Sequence, residues 1–183
     1  DLEAVLDRAT RAAVNCDRFN CPVVGDNMGG RLGAVMGHMA RRGRDKLTFV
    51  TSPAISAFGD WVEQLIAEST GKEQTGIVPI VHESLGDPAT YGDDRVFVQL
   101  RLAGDGADSD SQDSNSQHNQ VAALIEAGHP VVRMTLRDRL DVGAHFFLWE
   151  MATAVAGVSL GINPFDQPNV ESAKQQARGM IEF

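Results

Sequence analysis

Lys46 to Val81, KLTFVTSPAISAFGDWVEQLIAESTGKEQTGIVPIV, is the stretch on which the fold turns. It opens with KLTFVT, a short run rich in β-branched and aromatic residues, which reads as a strand. Ser52 and Pro53 follow as a candidate N-cap and first helical residue, and Phe58, Trp61, Leu65 and Ile66 recur at helical spacing to give an apolar face. Gly71 closes that helix, and Ile77 to Val81 (IVPIV) forms a second strand. Pro79 cannot donate to a ladder, so it places this strand at a sheet edge or makes it end early. Two strands joined through a helix pair in parallel, with the helix on one face of the sheet.

The same alternation extends outward on both sides. Arg95 to Leu102 (RVFVQLRL) and Pro130 to Leu136 (PVVRMTL) predict two more strands. Leu32, Val35, Met36 and Met39 mark a helix that stops at Gly43, with Arg41, Arg42 and Arg44 where cations suit the dipole. Leu2, Val5, Leu6 and Ala9 start another helix almost at Asp1, so the chain is expected to be a piece of a longer polypeptide. Val121, Leu124 and Ile125 belong to a helix ending at Gly128. From Ala144 to Leu160 the chain is apolar on more than one face, the pattern of a buried helix, and a last helix is expected from Pro168 toward Phe183. Gly104 to Gln117, GDGADSDSQDSNSQ, has almost no apolar side chain to offset its ordering entropy and is expected to be a mobile acidic loop. The fold class that follows is α/β over residues 1–183 as a single domain. It is a three-layer sandwich with a mainly parallel sheet flanked by helices.

Composition narrows the function. The chain has 183 residues and a formal net charge of −9 with no long Lys/Arg run, which argues against nucleic acid as a partner. Nothing approaches the roughly 18 apolar residues of a membrane helix, so no membrane is expected. Cys16 and Cys21 are too few for a disulfide framework or a four-cysteine zinc site; reduced thiols and a cytoplasmic location are expected, with no metal and no cofactor. GDNMGGRLGA does not follow a convincing strand, so it is a weak dinucleotide fingerprint, and a P-loop is absent from the sequence.

Two segments stand out for chemistry: Glu63 to Lys72 (EQLIAESTGK) and Gly161 to Lys174 (GINPFDQPNVESAK). Together with GRDKLTFVTSPAI, YGDDRVFV and WEMATAVAG, they resemble the phosphoglucose isomerase family, whose members carry an E-S-x-G-K element followed by F-D-Q-x-x-V-E-x-x-K. The resemblance extends over nearly the whole chain. It is to the C-terminal sugar-isomerase (SIS) domain, of flavodoxin-like architecture, and it looks closest to the isomerase part of bifunctional transaldolase/phosphoglucose isomerase proteins. The stretch around Asn27, Gly29, Leu32 and Gly33 also resembles the family's N-P-G-x-x-L-G, although Met28 stands where the family has proline.

What the resemblance implies is aldose-ketose isomerisation between glucose 6-phosphate and fructose 6-phosphate through an enediol. In that chemistry one base must reach both C1 and C2, which suits a carboxylate. Glu68 occupies the position of the family's base. Read without the family, it is an exposed Glu near a helix C-terminus, a site the dipole mildly disfavours. Lys174 occupies the position of the family lysine assigned to ring opening; its plainer reading is a surface partner of Glu171. The resemblance gives Gln167 the polar edge of the substrate, while Asp166 reads as a cap of the last helix rather than a catalytic group. The family's ring-opening histidine corresponds to His82, less directly to His118, or to neither, and that choice stays open; His38, His129 and His145 read as structural.

The family holds the sugar phosphate on a Ser/Thr-rich turn in a preceding SIS domain, and this chain has no such cluster. The resemblance therefore implies a preceding SIS domain, with a transaldolase domain before it in the fused proteins, and room for a homo-oligomer. It also implies poor activity for this chain alone. The rival readings are a catalytically silent SIS domain that binds a phosphosugar for regulation, and an assembly domain with an interface around Trp149.

Overall fold

Residues 1–17, 27–104, 112–166 and 168–181 are described by the computed structural model. Four strands, β1 (Lys46–Thr51), β2 (Val78–Ile80), β3 (Arg95–Leu102) and β4 (Val131–Leu136), form one sheet in the order β2-β1-β3-β4 with every pairing parallel. The expected three-layer α/β sandwich is the fold observed. Register runs Lys46 opposite Val78 on one side and Lys46 opposite Arg95 on the other. The strand with the internal proline, β2, is an edge strand of only three residues, as a missing N–H requires.

Among the described residues six α-helices flank this sheet: α1 (Leu2–Cys16), α2 (Met28–Arg41), α3 (Ser56–Thr70), α4 (Gln112–Glu126), α5 (Val142–Leu160) and α6 (Pro168–Ile181). Alternation sorts the strand residues by face. Leu47 and Phe49 of β1, with Val96, Val98 and Leu100 of β3, share a core with Met36 of α2, Val62 and Ile66 of α3, and Trp149 of α5. Phe97 points to the other face, where its ring meets Tyr91 and His129. Trp149 is 0% exposed and packs 5.2 Å from Phe49, centroid to centroid; removing so large a buried side chain typically costs about 3–5 kcal/mol.

The glycines of α2 are explained by its neighbour. A Cβ on Gly33 would stand 2.3 Å from the Ala152 carbonyl oxygen, so only glycine lets α2 lie this close to α5. Met28 in place of proline does not disturb the start of α2. Asn27 caps it: its Oδ1 accepts from Gly30 N–H at 2.6 Å while its Nδ2 donates to the Cys16 carbonyl at 2.9 Å.

Two expectations are corrected. Ser52 and Pro53 do not open the α-helix directly: Pro53–Ile55 is a single 3₁₀ turn, α3 starts at Ser56, and the Ser52 hydroxyl accepts from Leu102 N–H at 3.0 Å instead of capping. The helix expected around Val121 begins earlier, at Gln112, so part of the polar stretch assigned to a loop is helical. Polar residues without an apolar stripe still continue a helix whose later turns, through Val121 and Leu124, are buried. Residues 105–111 of that stretch lie outside the described residues. None of the described helices is long and apolar enough to cross a membrane.

Candidate functional site

Because all four strands are parallel, the molecule has two chemically different ends. α3 leaves the carboxyl end of β1 and returns to the amino end of β2, so its last turn carries Glu68 to the amino edge of the sheet. There Glu68 is exposed, and Gln64 Nε2 donates to its carboxylate at 2.8 Å. Two residues on, the Thr70 hydroxyl is buried, donates to the Ile66 carbonyl at 2.8 Å and accepts from Ile77 N–H at 2.9 Å, stitching the end of α3 to β2. Between them Lys72 and Thr75 form an antiparallel bridge around Glu73 and Gln74, both left-handed at φ 53° and 63°. This is a tight two-residue hairpin that Asn or Gly ordinarily supplies.

The second motif segment meets this turn. α5 ends at Gly161, left-handed at φ 75°, and the chain turns through Asn163, Pro164 and Asp166 toward α6. Lys72 Nζ donates to the Asn163 carbonyl at 3.0 Å and also to the Asp166 carbonyl. Beyond that turn α6 carries Lys174, exposed like the other described side chains of the helix from Ala173 onward. Gln167 lies outside the described residues. A cavity of about 570 Å³ opens beside the hairpin, lined among others by Asp45, Glu63, Gln74 and Thr75.

His82 sits elsewhere. It follows β2 at the carboxyl edge, in a left-handed conformation of φ 57°, with Nε2 2.5 Å from Asp60 Oδ1. Asp60, Gln64 and Glu68 lie four residues apart on one stripe of α3, so Asp60, with His82 bonded to it, and Glu68 are about two turns, or 12 Å of helix, apart. A base and a ring-opening acid must reach adjacent atoms of one sugar. Within a single chain, therefore, the structure does not gather Glu68, Lys174 and His82 into one site. His82 lines a separate cavity of about 460 Å³ with Thr51, Ser56, Ser84 and Gln117. His118 is exposed on α4, and His129 Nε2 lies 3.0 Å from the Pro88 carbonyl.

Also at the carboxyl edge, Arg8 of α1 reaches both Asp138 and Asp141, and Arg137 donates to both carboxylate oxygens of Asp141. Arg137 above all, with Arg8, holds the Asp141 carboxyl well below the usual carboxylate range, against the opposing effect of burial. One turn on, His145 is buried, and burial pushes its imidazole down to about 4. Sequence reasoning gave no role to Asp60, Asp141 or Lys72. The first two are indistinguishable in sequence from any surface Asp, whereas Lys72 lies inside a quoted motif.

Known proteins resemble the chain in sequence and in fold. Glucose-6-phosphate isomerase of Lactobacillus delbrueckii subsp. bulgaricus is 29% identical over 70% of this chain, and that of Streptococcus pyogenes serotype M5 is 27% identical over 99% of it. The chain is similar in sequence to these glucose-6-phosphate isomerases. It spans 35% and 46% of those two proteins, respectively. No protein-family model matches it. Among solved structures, a hypothetical protein from Thermus thermophilus shares its fold, with a TM-score of 0.73 and 20% identity over 99% of this chain and 50% of the other.

Proposed function

We propose that this chain supplies the proton-transfer half of an aldose-ketose isomerase acting on glucose 6-phosphate and fructose 6-phosphate, as the C-terminal SIS part of a longer enzyme. Glu68 is the base that moves the proton between C2 and C1 through the enediol, and Lys174 steadies the ring oxygen as the sugar opens. The observation that carries this reading is the bond from Lys72 to the carbonyls of Asn163 and Asp166, which joins the E-S-T-G-K segment to the turn leading to Lys174. Two segments far apart in sequence, each resembling an isomerase motif, are neighbours at one edge of the sheet.

Other parts of the chemistry come from outside this edge. Gln167 takes a polar edge of the sugar, and the phosphate is held by a preceding SIS domain, so the isolated chain is nearly inactive for want of remote binding energy. His82 can act on the same sugar as Glu68 only from a second copy of the chain. The test is hydrogen exchange at carbon. In heavy water the whole protein should incorporate solvent hydrogen at C1 or C2 of the hexose phosphate during turnover, and Glu68→Gln, which cannot accept a carbon-bound proton, should abolish that incorporation. Incorporation at the wild-type rate in Glu68→Gln removes Glu68 as the base.

A further inference from the structure

Lys72 is only 7% exposed, and the partners of its ammonium are main-chain carbonyls rather than a carboxylate. A buried cation so placed is a poor device for stability alone, since an apolar side chain of like volume would serve packing as well or better. What it does provide is geometry. The near end of the link is rigid: Lys72 N–H donates to the Thr75 carbonyl at 3.0 Å, Thr75 N–H donates back to Lys72 at 2.9 Å, and Thr70 stitches the same turn to β2. At the far end lies the turn from which α6 departs. Its start is set by Gly161, by Ile162 N–H donating to the Gly157 carbonyl at 3.0 Å, and by Pro164 lying against Gly157. From Ala173 to Ile181 every side chain of α6 is exposed, so those side chains do not hold the helix in place.

We propose that Lys72 is a positioning residue: its two carbonyl bonds fix the root of α6 and so set where Lys174 stands relative to Glu68. This rests on the isomerase reading above for its effect on turnover, but the link itself can be tested without activity.

Two measurements bear on it. In the whole protein, Lys72→Met keeps the aliphatic stem and removes the donors. It is expected to lower kcat about 10- to 100-fold with KM changed by less than about threefold, the scale of an ångström-sized misplacement. If Lys72 acts through Lys174, the same substitution in a Lys174→Ala background should cost less than about twofold more. On the present chain, amide hydrogen exchange should quicken at least about tenfold across residues 161–181 in Lys72→Met while β1 and β3 keep their protection. Lys72→Gln, whose shorter neutral side chain still carries amide N–H donors, replaces it should β1 and β3 lose protection. A multiplicative loss in the double mutant, or unchanged exchange across 161–181, overturns the proposal. If Lys174→Ala itself turns over at the wild-type rate, the isomerase reading falls, and the exchange measurement alone decides the link.

Discussion

The amino and carboxyl edges of this sheet are built on different physics. At the amino edge the buried polar groups Thr70 and Lys72 are held by the main chain, Thr70 by Ile66 and Ile77 and Lys72 by Asn163 and Asp166, with a hairpin of left-handed residues between them, while side-chain pairs such as Lys46 with Asp94 and Gln64 with Glu68 are more exposed. At the carboxyl edge polar groups are held by each other, as Arg8 with Asp138 and Asp141, Arg137 with Asp141, and His82 with Asp60. Ligands of parallel α/β sheets usually gather at the carboxyl edge, yet the segments that resemble an isomerase lie at the other. The contrast teaches that motif and fold can point to opposite ends of one domain. In the isomerase proposed above, the main-chain-held edge would provide the fixed geometry that proton transfer between neighbouring carbons needs.

Substitutions in the whole protein set one edge against the other. Glu68→Gln should lower kcat by about a thousandfold or more with little change in KM, because the amide occupies the same space but cannot take the proton. His82→Asn should lower kcat less, about 10- to 100-fold, and only in ring opening, so a substrate supplied in open form should recover part of the rate. Since the two residues are too far apart to serve one sugar from one chain, mixing the two inactivated proteins should restore activity if copies share sites. A His82→Asn enzyme as active as wild type would confine the chemistry to the amino edge. A deeper loss in His82→Asn than in Glu68→Gln would reverse the assignment of the edges.

Acid should separate the edges next. His145 is buried and its folded value lies near 4, below the ordinary value of about 6.5 that it recovers on unfolding. Between those two values the unfolded chain binds the proton and the folded chain does not. Stability is therefore complete above about pH 6.5 and falls as pH drops toward 4, by up to about 3 kcal/mol. Asp141 adds a second, more acidic loss: its carboxyl is held below the usual range by Arg137 and Arg8, so its contribution is present above about pH 3.9 and disappears only below that. Thermal melts from pH 7 to 3.5 should show the first loss, and His145→Gln, neutral throughout, should flatten it. Melts of that variant that still fall between pH 6.5 and 4 would place the sensitivity elsewhere.

How much of this was legible in the sequence depends on whether the cause is local. KLTFVT and RVFVQLRL became β1 and β3 at their predicted bounds because both are short β-branched runs buried in mid-sheet, where pattern and burial agree. Pro79 announced an edge strand because a missing N–H is a property of one residue. The amino-edge site was legible only through its motifs, since the Lys72 bond to Asn163 and Asp166 spans more than ninety positions. The separation of His82 from Glu68 was not legible at all. It follows from α3 crossing the sheet lengthwise, a tertiary fact to which neither residue's neighbours point. Ser52 misled for a related reason: its hydroxyl was taken up by Leu102 N–H from β3, a partner that local capping rules do not see.

The smallest effects refine the same contrast, in stability rather than rate. Thr70→Val at the amino edge keeps the shape but leaves Ile77 N–H without its 2.9 Å acceptor in a buried place. That should cost about 2 kcal/mol, since an orphaned buried donor loses its water as well as its partner. Asp60→Asn at the carboxyl edge removes a charge from a pair whose side chains are 61% and 54% exposed, where water screens the attraction and replaces the lost bond. Its expected cost is under about 0.5 kcal/mol. Urea melts of the two variants at pH 7.5, where the acid losses above are absent, compare them directly. The two edges are held differently only if Thr70→Val shifts the midpoint clearly and Asp60→Asn hardly does. Equal shifts would mean that the His82–Asp60 pair is as much a structural tie as the Thr70 stitch, and would end the distinction between the two edges.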